Sequence, residues 1–255
     1  VPPGCVTLVG AGPGDPELLT LRAVKALRGA RLVLYDHLVS KEVLRYVAED
    51  ADLIYVGKES SHHTLPQEAI IDLMVRLARS GRSLVRLKGG DGFIFGRGGE
   101  EAQALAQAGI AFDVVPGITA AQGAGAYAGI PLTHRDHAAT LVFATGHLRG
   151  ESDVALDWEL LARPRQTVVI YMGIGTLPII CAELQRHGLP GDTPAALVEQ
   201  ATLPTQRCIT GTLQELPALA QQHRVRPPAL IVIGGVVALQ PQLMQGMRSM
   251  AHWMQ

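Results

Sequence analysis

"VGAGPGDPELL", Val9 to Leu19, closes a short apolar run and opens a helix-like segment. A strand that passes through glycines into a helix is the repeating unit of an α/β fold. The glycine spacing approaches the dinucleotide fingerprint G-x-G-x-x-G, whose third glycine lets the helix pack closely on the strand. Gly10 and Gly12 fit, but the third position is Asp15. Asp15 reads better as an N-cap, with Pro16 at the first helical position and Glu17 in the first turn. Those carboxylates occupy the place a phosphate would need. The stretch therefore predicts either backbone held close to a phosphate-free ligand or a plain tight turn.

Working outward, the same alternation recurs along the chain. "CVTLVG" (Cys5–Gly10), "ARLVLYD" (Ala30–Asp36), "DLIYVG" (Asp52–Gly57), "RSLVRLKGG" (Arg82–Gly90) and "FDVVPG" (Phe112–Gly117) read as strands. A second set follows: Thr140–Gly146, Thr167–Gly173, Ala195–Gln200, Arg207–Leu213 and Ala229–Gly235. Between them lie amphipathic segments. In Gln67–Gly81, Ile70, Ile71, Met74, Leu77 and Ala78 recur at helical spacing, and Gly81 suits the C-terminal cap. The pattern predicts two α/β domains, residues 1–116 and 117–240, each with a roughly five-stranded sheet flanked by helices. Residues 241–255 form a tail in which Met244, Met247, Met250 and Trp253 suit a helix packed on a neighbour, or partial disorder.

Bulk composition narrows the function classes. Of 255 residues, 47% are hydrophobic and 18% charged, which predicts a compact soluble protein. A net charge of −1 excludes a globally basic nucleic-acid binder, and 4% aromatic residues leave few stacking platforms. Cys5, Cys181 and Cys208 form no CxxC pair, so neither a zinc site nor a disulfide framework is predicted, and reduced thiols suit a cytoplasmic protein. No apolar run approaches the roughly 20 residues of a membrane span, and no basic n-region predicts a signal peptide.

Two further stretches are dense in chemistry. In "VRLKGGDGFIFGRGGEE" (Val85–Glu101), Gly89, Gly90 and Gly92 strip a strand-to-helix loop to main chain. Asp91 adds an acceptor, Phe93, Ile94 and Phe95 an apolar wall, and Arg97 precedes Glu100 and Glu101, either of which can hold it. In "VPGITAAQGAGAYAGIPLTHRDHA" (Val115–Ala138), small residues permit close approach at a domain junction. The "HRD" at His134–Asp136 lacks the asparagine a kinase loop needs, since Leu141 stands there. His134 and His137 lack a third metal ligand, leaving a basic rim or an ordinary surface turn.

Taken together, "VGAGPGDPELLTLRA", "YDHLVS", "VGKE", "RLKGGDGFIFGRGGEE", "VPGITAA", "AGIPLTHRD", "TGHL", "YMG" and "PALIVIG" resemble the uroporphyrinogen-III C-methyltransferases within the tetrapyrrole methylase family. The resemblance runs from about residue 6 to residue 238 in the family's order. It implies a class III methyltransferase-like architecture, with S-adenosyl-L-methionine (SAM) in a cleft between two α/β domains, and a homodimer. It also implies cofactor contacts at Pro13, Gly89, Gly90, Asp91, Ile94, Thr119, Ala120, Met172, Ala201, Pro228 and Ala229. Asp36 and Lys58 match positions with acid–base roles, and Arg97 with Glu100 match a pair that acts on the tetrapyrrole. His147 and Tyr171 would face the substrate. Gly92 replaces the family's usual proline, and Ala201 a common glycine.

The implied reaction methylates uroporphyrinogen III at C2 and C7, giving precorrin-2 through precorrin-1 and S-adenosyl-L-homocysteine, for sirohaem, cobalamin or haem d1. Its donor arrives activated, so the protein supplies alignment, a dry pocket and proton removal. An octacarboxylate substrate requires local cations in a near-neutral chain, and Lys58, Arg97, Arg135, Arg149, His62, His63, His134 and His147 are the candidates. Arg97 is read first as an orienting group, because guanidinium is a reluctant base. Asp36 stays open between acid–base work and capping a turn. The alternatives are a precorrin methyltransferase acting at another ring position and a tetrapyrrole-binding protein without turnover; Asp15 disfavours a nicotinamide dehydrogenase.

Overall fold

A computed structural model describes residues 2–57, 65–147 and 156–248. All ten predicted strands form. They are β1 (Val6–Gly10), β2 (Leu32–Tyr35), β3 (Asp52–Tyr55), β4 (Leu84–Lys88), β5 (Phe112–Val115), β6 (Thr140–Thr145), β7 (Gln166–Tyr171), β8 (Pro194–Glu199), β9 (Arg207–Thr212) and β10 (Ala229–Ile233). The α-helices are α1 (Leu21–Gly29), α2 (Lys41–Leu44), α3 (Gln67–Arg79), α4 (Gly98–Gln107), α5 (Ala120–Ala128), α6 (Trp158–Leu161), α7 (Leu177–Arg186), α8 (Leu216–Gln222) and α9 (Gln240–Gly246). Two compact units result, Val1–Ala120 and Ala121–Gln255. The tail begins as α9, within the second unit.

The first sheet has the order β3-β2-β4-β1-β5 and is parallel throughout. Alternate residues of its strands feed two cores, as the period of two requires. Val6, Leu8, Leu32, Leu34 and Leu84 meet Ile70, Met74 and Ala78 of α3 and Ala102 and Leu105 of α4. Val9, Val33, Val85 and Leu87 meet Ala23 and Leu27 of α1 and Val43 of α2. The connection leaving β1 runs toward β2, and the one leaving β4 runs toward β5. Adjacent β1 and β4 are therefore the switch point of the sheet, where α/β proteins place ligands at the strands' carboxyl ends.

The predicted caps form with one adjustment. Asp15 accepts from the Glu17 N–H at 2.9 Å, with Pro16 following, but the turn it caps is a single 3-10 turn, Pro16–Leu18. The α-helix proper starts at α1, capped by the Thr20 hydroxyl. At the end of α3, Gly81 adopts φ +88°, donating to Ala78 O while Arg82 N–H reaches Leu77 O. That pair of bonds is the Schellman motif, which satisfies carbonyls the helix leaves open.

The second sheet has the order β6-β7-β10-β8-β9 and is mixed. β6 and β7 are parallel, whereas β10 is antiparallel to both β7 and β8, and β8 to β9. Residues 200–206 between β8 and β9 are too few for a crossover, so those strands form an antiparallel pair. Its core gathers Val168, Ile170, Ile180, Leu184, Leu197 and Ile231 beneath α6, α7 and α8.

Candidate active site

At the carboxyl rim of the first sheet three strand ends are clasped together through glycine. A Cβ on Gly10 would lie 2.7 Å from Gly90 O and 2.7 Å from Gly117 N. One on Gly117 would collide with Gly90 O and sit 2.9 Å from Gly10 C. Gly12 and Gly90 exchange both backbone hydrogen bonds, at 3.1 and 2.7 Å, and each has φ above +60°, at +74° and +63°. The missing side chains thus first allow loop to approach loop. Asp91 completes the clasp: Oδ2 accepts from Gly117 N–H at 3.0 Å and Oδ1 from Phe93 N–H at 2.9 Å. Thr119 and Ala120 lie beside Gly90, and Pro13 borders the same rim half-buried.

Behind this rim lies a buried charge network that sequence reading missed. Leu84, Arg86 and Lys88 share one face of β4, and both cations are buried. They converge on Glu101 of α4, whose side chain is wholly buried. Glu101 Oε1 accepts from Lys88 Nζ at 3.0 Å, Gln67 Nε2 at 3.1 Å and Arg86 Nε at 3.3 Å. Its other oxygen, Oε2, is buried without a hydrogen-bond partner among the described residues. Arg86 also donates from Nη1 to Leu87 O at 3.2 Å and brings Nη2 within 3.5 Å of Asp36 Oδ2. Burial pushes the Lys88 ammonium pKa down, Arg86 pushes it the same way, and Glu101 pulls it back up. The available signal was "RLK" itself: two cations two residues apart on a central strand demand an anion from the covering helix.

Asp36 follows β2 with its side chain about one-fifth exposed (20%). Its Oδ1 accepts from Leu38 N–H at 3.0 Å, so it caps the turn while Oδ2 faces Arg86. Arg97 stands at the N-terminus of α4 with φ +58°, and Phe95 at φ +50°. Left-handed backbone at non-glycine residues costs about 1–3 kcal/mol and gathers at ligand-handling loops. Arg97 is clamped by Glu100, Nε to Oε1 at 3.2 Å and Nη2 to Oε2 at 2.8 Å, with both side chains 54% exposed. That bidentate bond pushes the guanidinium pKa above its ordinary value, further from any use as a base. Ile94 is half-buried, and Phe93 and Phe95 are exposed beside it.

In the second unit one rim gathers His147 after β6, Met172 after β7, Ala201 after β8 and Pro228–Ala229 entering β10. Pro228 O accepts from Gln200 N–H at 2.9 Å, which joins the last two. Met172 has φ +53° and is 54% exposed, and Ala201 sits between Gln200 (φ +50°) and Thr202 (φ +68°). Gly146 and Gly173 pack backbone on backbone here, a Cβ on Gly146 falling 2.6 Å from Gly173 Cα.

Two residues expected at the substrate make other bonds in this structure. Tyr171 is buried edge-on against Phe143, and its hydroxyl accepts from Ala121 N–H at 3.2 Å in the first turn of α5. Arg135 belongs to the opposite rim, since the His134–Ala138 turn leads into the start of β6. Arg165, which precedes β7, donates to the carbonyls of Arg135 and Asp136. Lys58, Arg149, His62 and His63 lie outside the described residues.

A doubly wound parallel sheet followed by a mixed one, with acid-capped and glycine-clasped loops at its switch point, defines a two-unit α/β protein suited to a phosphate-free ligand. The chain belongs to the tetrapyrrole (corrin/porphyrin) methylases, whose family pattern matches residues 5–217. It is 56% identical over 242 residues to the siroheme synthase of Nitrosomonas europaea, covering 95% of this chain and 51% of that protein. The siroheme synthase of Thioalkalivibrio sulfidiphilus is 57% identical over 240 residues, covering 94% and 49%. The chain thus spans about half the length of these curated relatives. Among solved structures, the uroporphyrin-III C-methyltransferase of Thermus thermophilus complexed with S-adenosylhomocysteine is 42% identical, with a TM-score of 0.80, over 92% of this chain and 100% of that one. A cobalt precorrin-4 methyltransferase, 27% identical, shares the fold with a TM-score of 0.80 over 91% of this chain and 95% of that one. No described helix is long and apolar enough to cross a membrane.

Proposed function

We propose that this chain is a SAM-dependent C-methyltransferase that carries uroporphyrinogen III through precorrin-1 to precorrin-2, methylating C2 and C7. The observation that carries this reading is the 42% identity, over 92% of this chain and all of the other, to an enzyme solved with S-adenosylhomocysteine. The loops fit the cofactor. Asp15 and Glu17 at the first turn oppose a phosphate, and SAM has none. Glycine main chain presents carbonyl dipoles, which suit a cationic sulfur better than lysines would. Pro13, Gly89, Gly90, Asp91, Ile94, Thr119 and Ala120 of the first unit, and Met172, Ala201, Pro228 and Ala229 of the second, are the residues that would hold it.

When bound, the cofactor supplies a methyl group already activated on a sulfonium. The chain's own residues then orient the macrocycle, exclude water and move a proton. Asp36 is assigned the proton at Oδ2, the oxygen its turn does not occupy, and Lys58 the complementary acid–base role. Arg97, fixed by Glu100, presents its remaining guanidinium edge to a substrate carboxylate and orients it. His147 and Arg149 are assigned to the substrate's carboxylates. The protein acts as a homodimer in the cytoplasm, and its product feeds sirohaem formation, in keeping with the siroheme synthases it matches.

Incubation with SAM and anaerobically prepared uroporphyrinogen III, followed by mass spectrometry and NMR of the pigment, tests the reading. Addition of two methyl groups, at C2 and C7, is expected. Methylation at another ring position would make it a different precorrin methyltransferase, and tight binding without methyl transfer would make it a carrier.

A further inference from the structure

We infer that Arg86 is the residue that positions Asp36 for proton transfer, through a guanidinium whose three nitrogens are each committed to a different partner. Nε is held by Glu101 at 3.3 Å, Nη1 by Leu87 O at 3.2 Å, and Nη2 faces Asp36 Oδ2 at 3.5 Å. The Arg86 side chain is only 3% exposed, so it acts on Asp36 from behind and does not touch a substrate. Asp36 is thereby fixed at both ends: Leu38 N–H holds Oδ1, and Arg86 aligns Oδ2. Glu101 sets the direction of the fork, and Lys88 balances Glu101, which leaves Arg86 with charge to share outward. The charged groups around Asp36 on this side are Arg86 itself, with Lys88 and Glu101 behind it. A lysine at position 86 would keep the charge, but its single ammonium cannot bridge Glu101 and Asp36 as a planar fork does.

This inference rests on the reading that Asp36 handles the proton, and the test separates the two. Arg86→Lys, Asp36→Asn and the double variant are compared in a methyl-transfer assay across pH, with S-adenosylhomocysteine binding measured by calorimetry. For Arg86→Lys, kcat is expected to fall about tenfold or more, with KM and cofactor affinity held within about threefold. In the Asp36→Asn background the same substitution is expected to change kcat by less than about twofold, since its target is gone. An equal loss in both backgrounds, or a loss confined to KM or cofactor affinity with kcat unchanged, overturns the role of Arg86. Wild-type turnover in Asp36→Asn overturns the reading of Asp36 and this inference with it. Should Arg86→Lys not be recovered folded, Arg86→Gln carries the same readouts, because Lys88 still neutralises Glu101.

Discussion

The two rims of the first sheet are built from the same strands, yet they handle charge in opposite ways. At the amino rim, Arg31 pairs with Asp50 and Arg82 with Asp52, and every one of these side chains is largely exposed. Backbone is close-packed at this rim as well, since a Cβ on Gly4 would collide with Arg82 C, although one on Gly29 would meet nothing. At the carboxyl rim, Arg86, Lys88 and Glu101 are buried, and glycines at 10 and 117 leave no room for a methyl group. Exposed pairs are screened by water and contribute roughly 0–1 kcal/mol. Buried ions lose hydration, and removing one partner strands the others. The comparison teaches where the molecule tolerates loss of a charge: the amino-rim partners can be replaced by water, the carboxyl-rim partners only by one another.

The strongest way to break this contrast is Glu101→Ala. It leaves Arg86 and Lys88 buried against Asp36 alone, and is expected to lower unfolding stability by about 3–5 kcal/mol in denaturant titrations. A loss under about 1 kcal/mol would place Glu101 in the same energetic class as the amino-rim pairs. Gly117→Ala, which drives a methyl group into Gly90 O, should cost about 1–3 kcal/mol by the same measurement. Arg97→Lys sharpens the distinction between fixing the rim and using it. Stability should stay unchanged while kcat/KM for uroporphyrinogen III falls about tenfold, as the bidentate geometry is lost; unchanged turnover would remove Arg97 from the substrate site. The smallest effect belongs to Arg82→Ala, expected below about 1 kcal/mol and vanishing at high salt.

Much of the fold was legible because its signals are local. β-branched runs between turn residues located all ten strands, and Asp15-Pro16-Glu17 announced an N-cap that formed as a shorter turn than expected. Helical spacing and Gly81 gave α3 and its end. Partner identity was not local. "LVRLK" reads as a strand whichever way Arg86 and Lys88 face, and only the docking of α4 brings Glu101 over them. The mixed order of the second sheet depends on where β10 inserts, which no window of sequence contains. Of the candidate site, the motifs that hold Gly90, Asp91, Thr119 and Ala120 meet at one rim, as their shared position after strands implies. The sequence did not show that the chain carries Arg135 to the far end of β6, or that the Tyr171 hydroxyl serves α5.

The two cations on β4 also bear on the order of assembly. The strand that occupies the middle of the sheet cannot be enclosed on its own account, because sealing it early would trap two ammonium-like charges in an apolar layer. Its neutralising group arrives with the next helix, 13 residues from Lys88. Closure of the central strand and docking of that helix are therefore one event in folding.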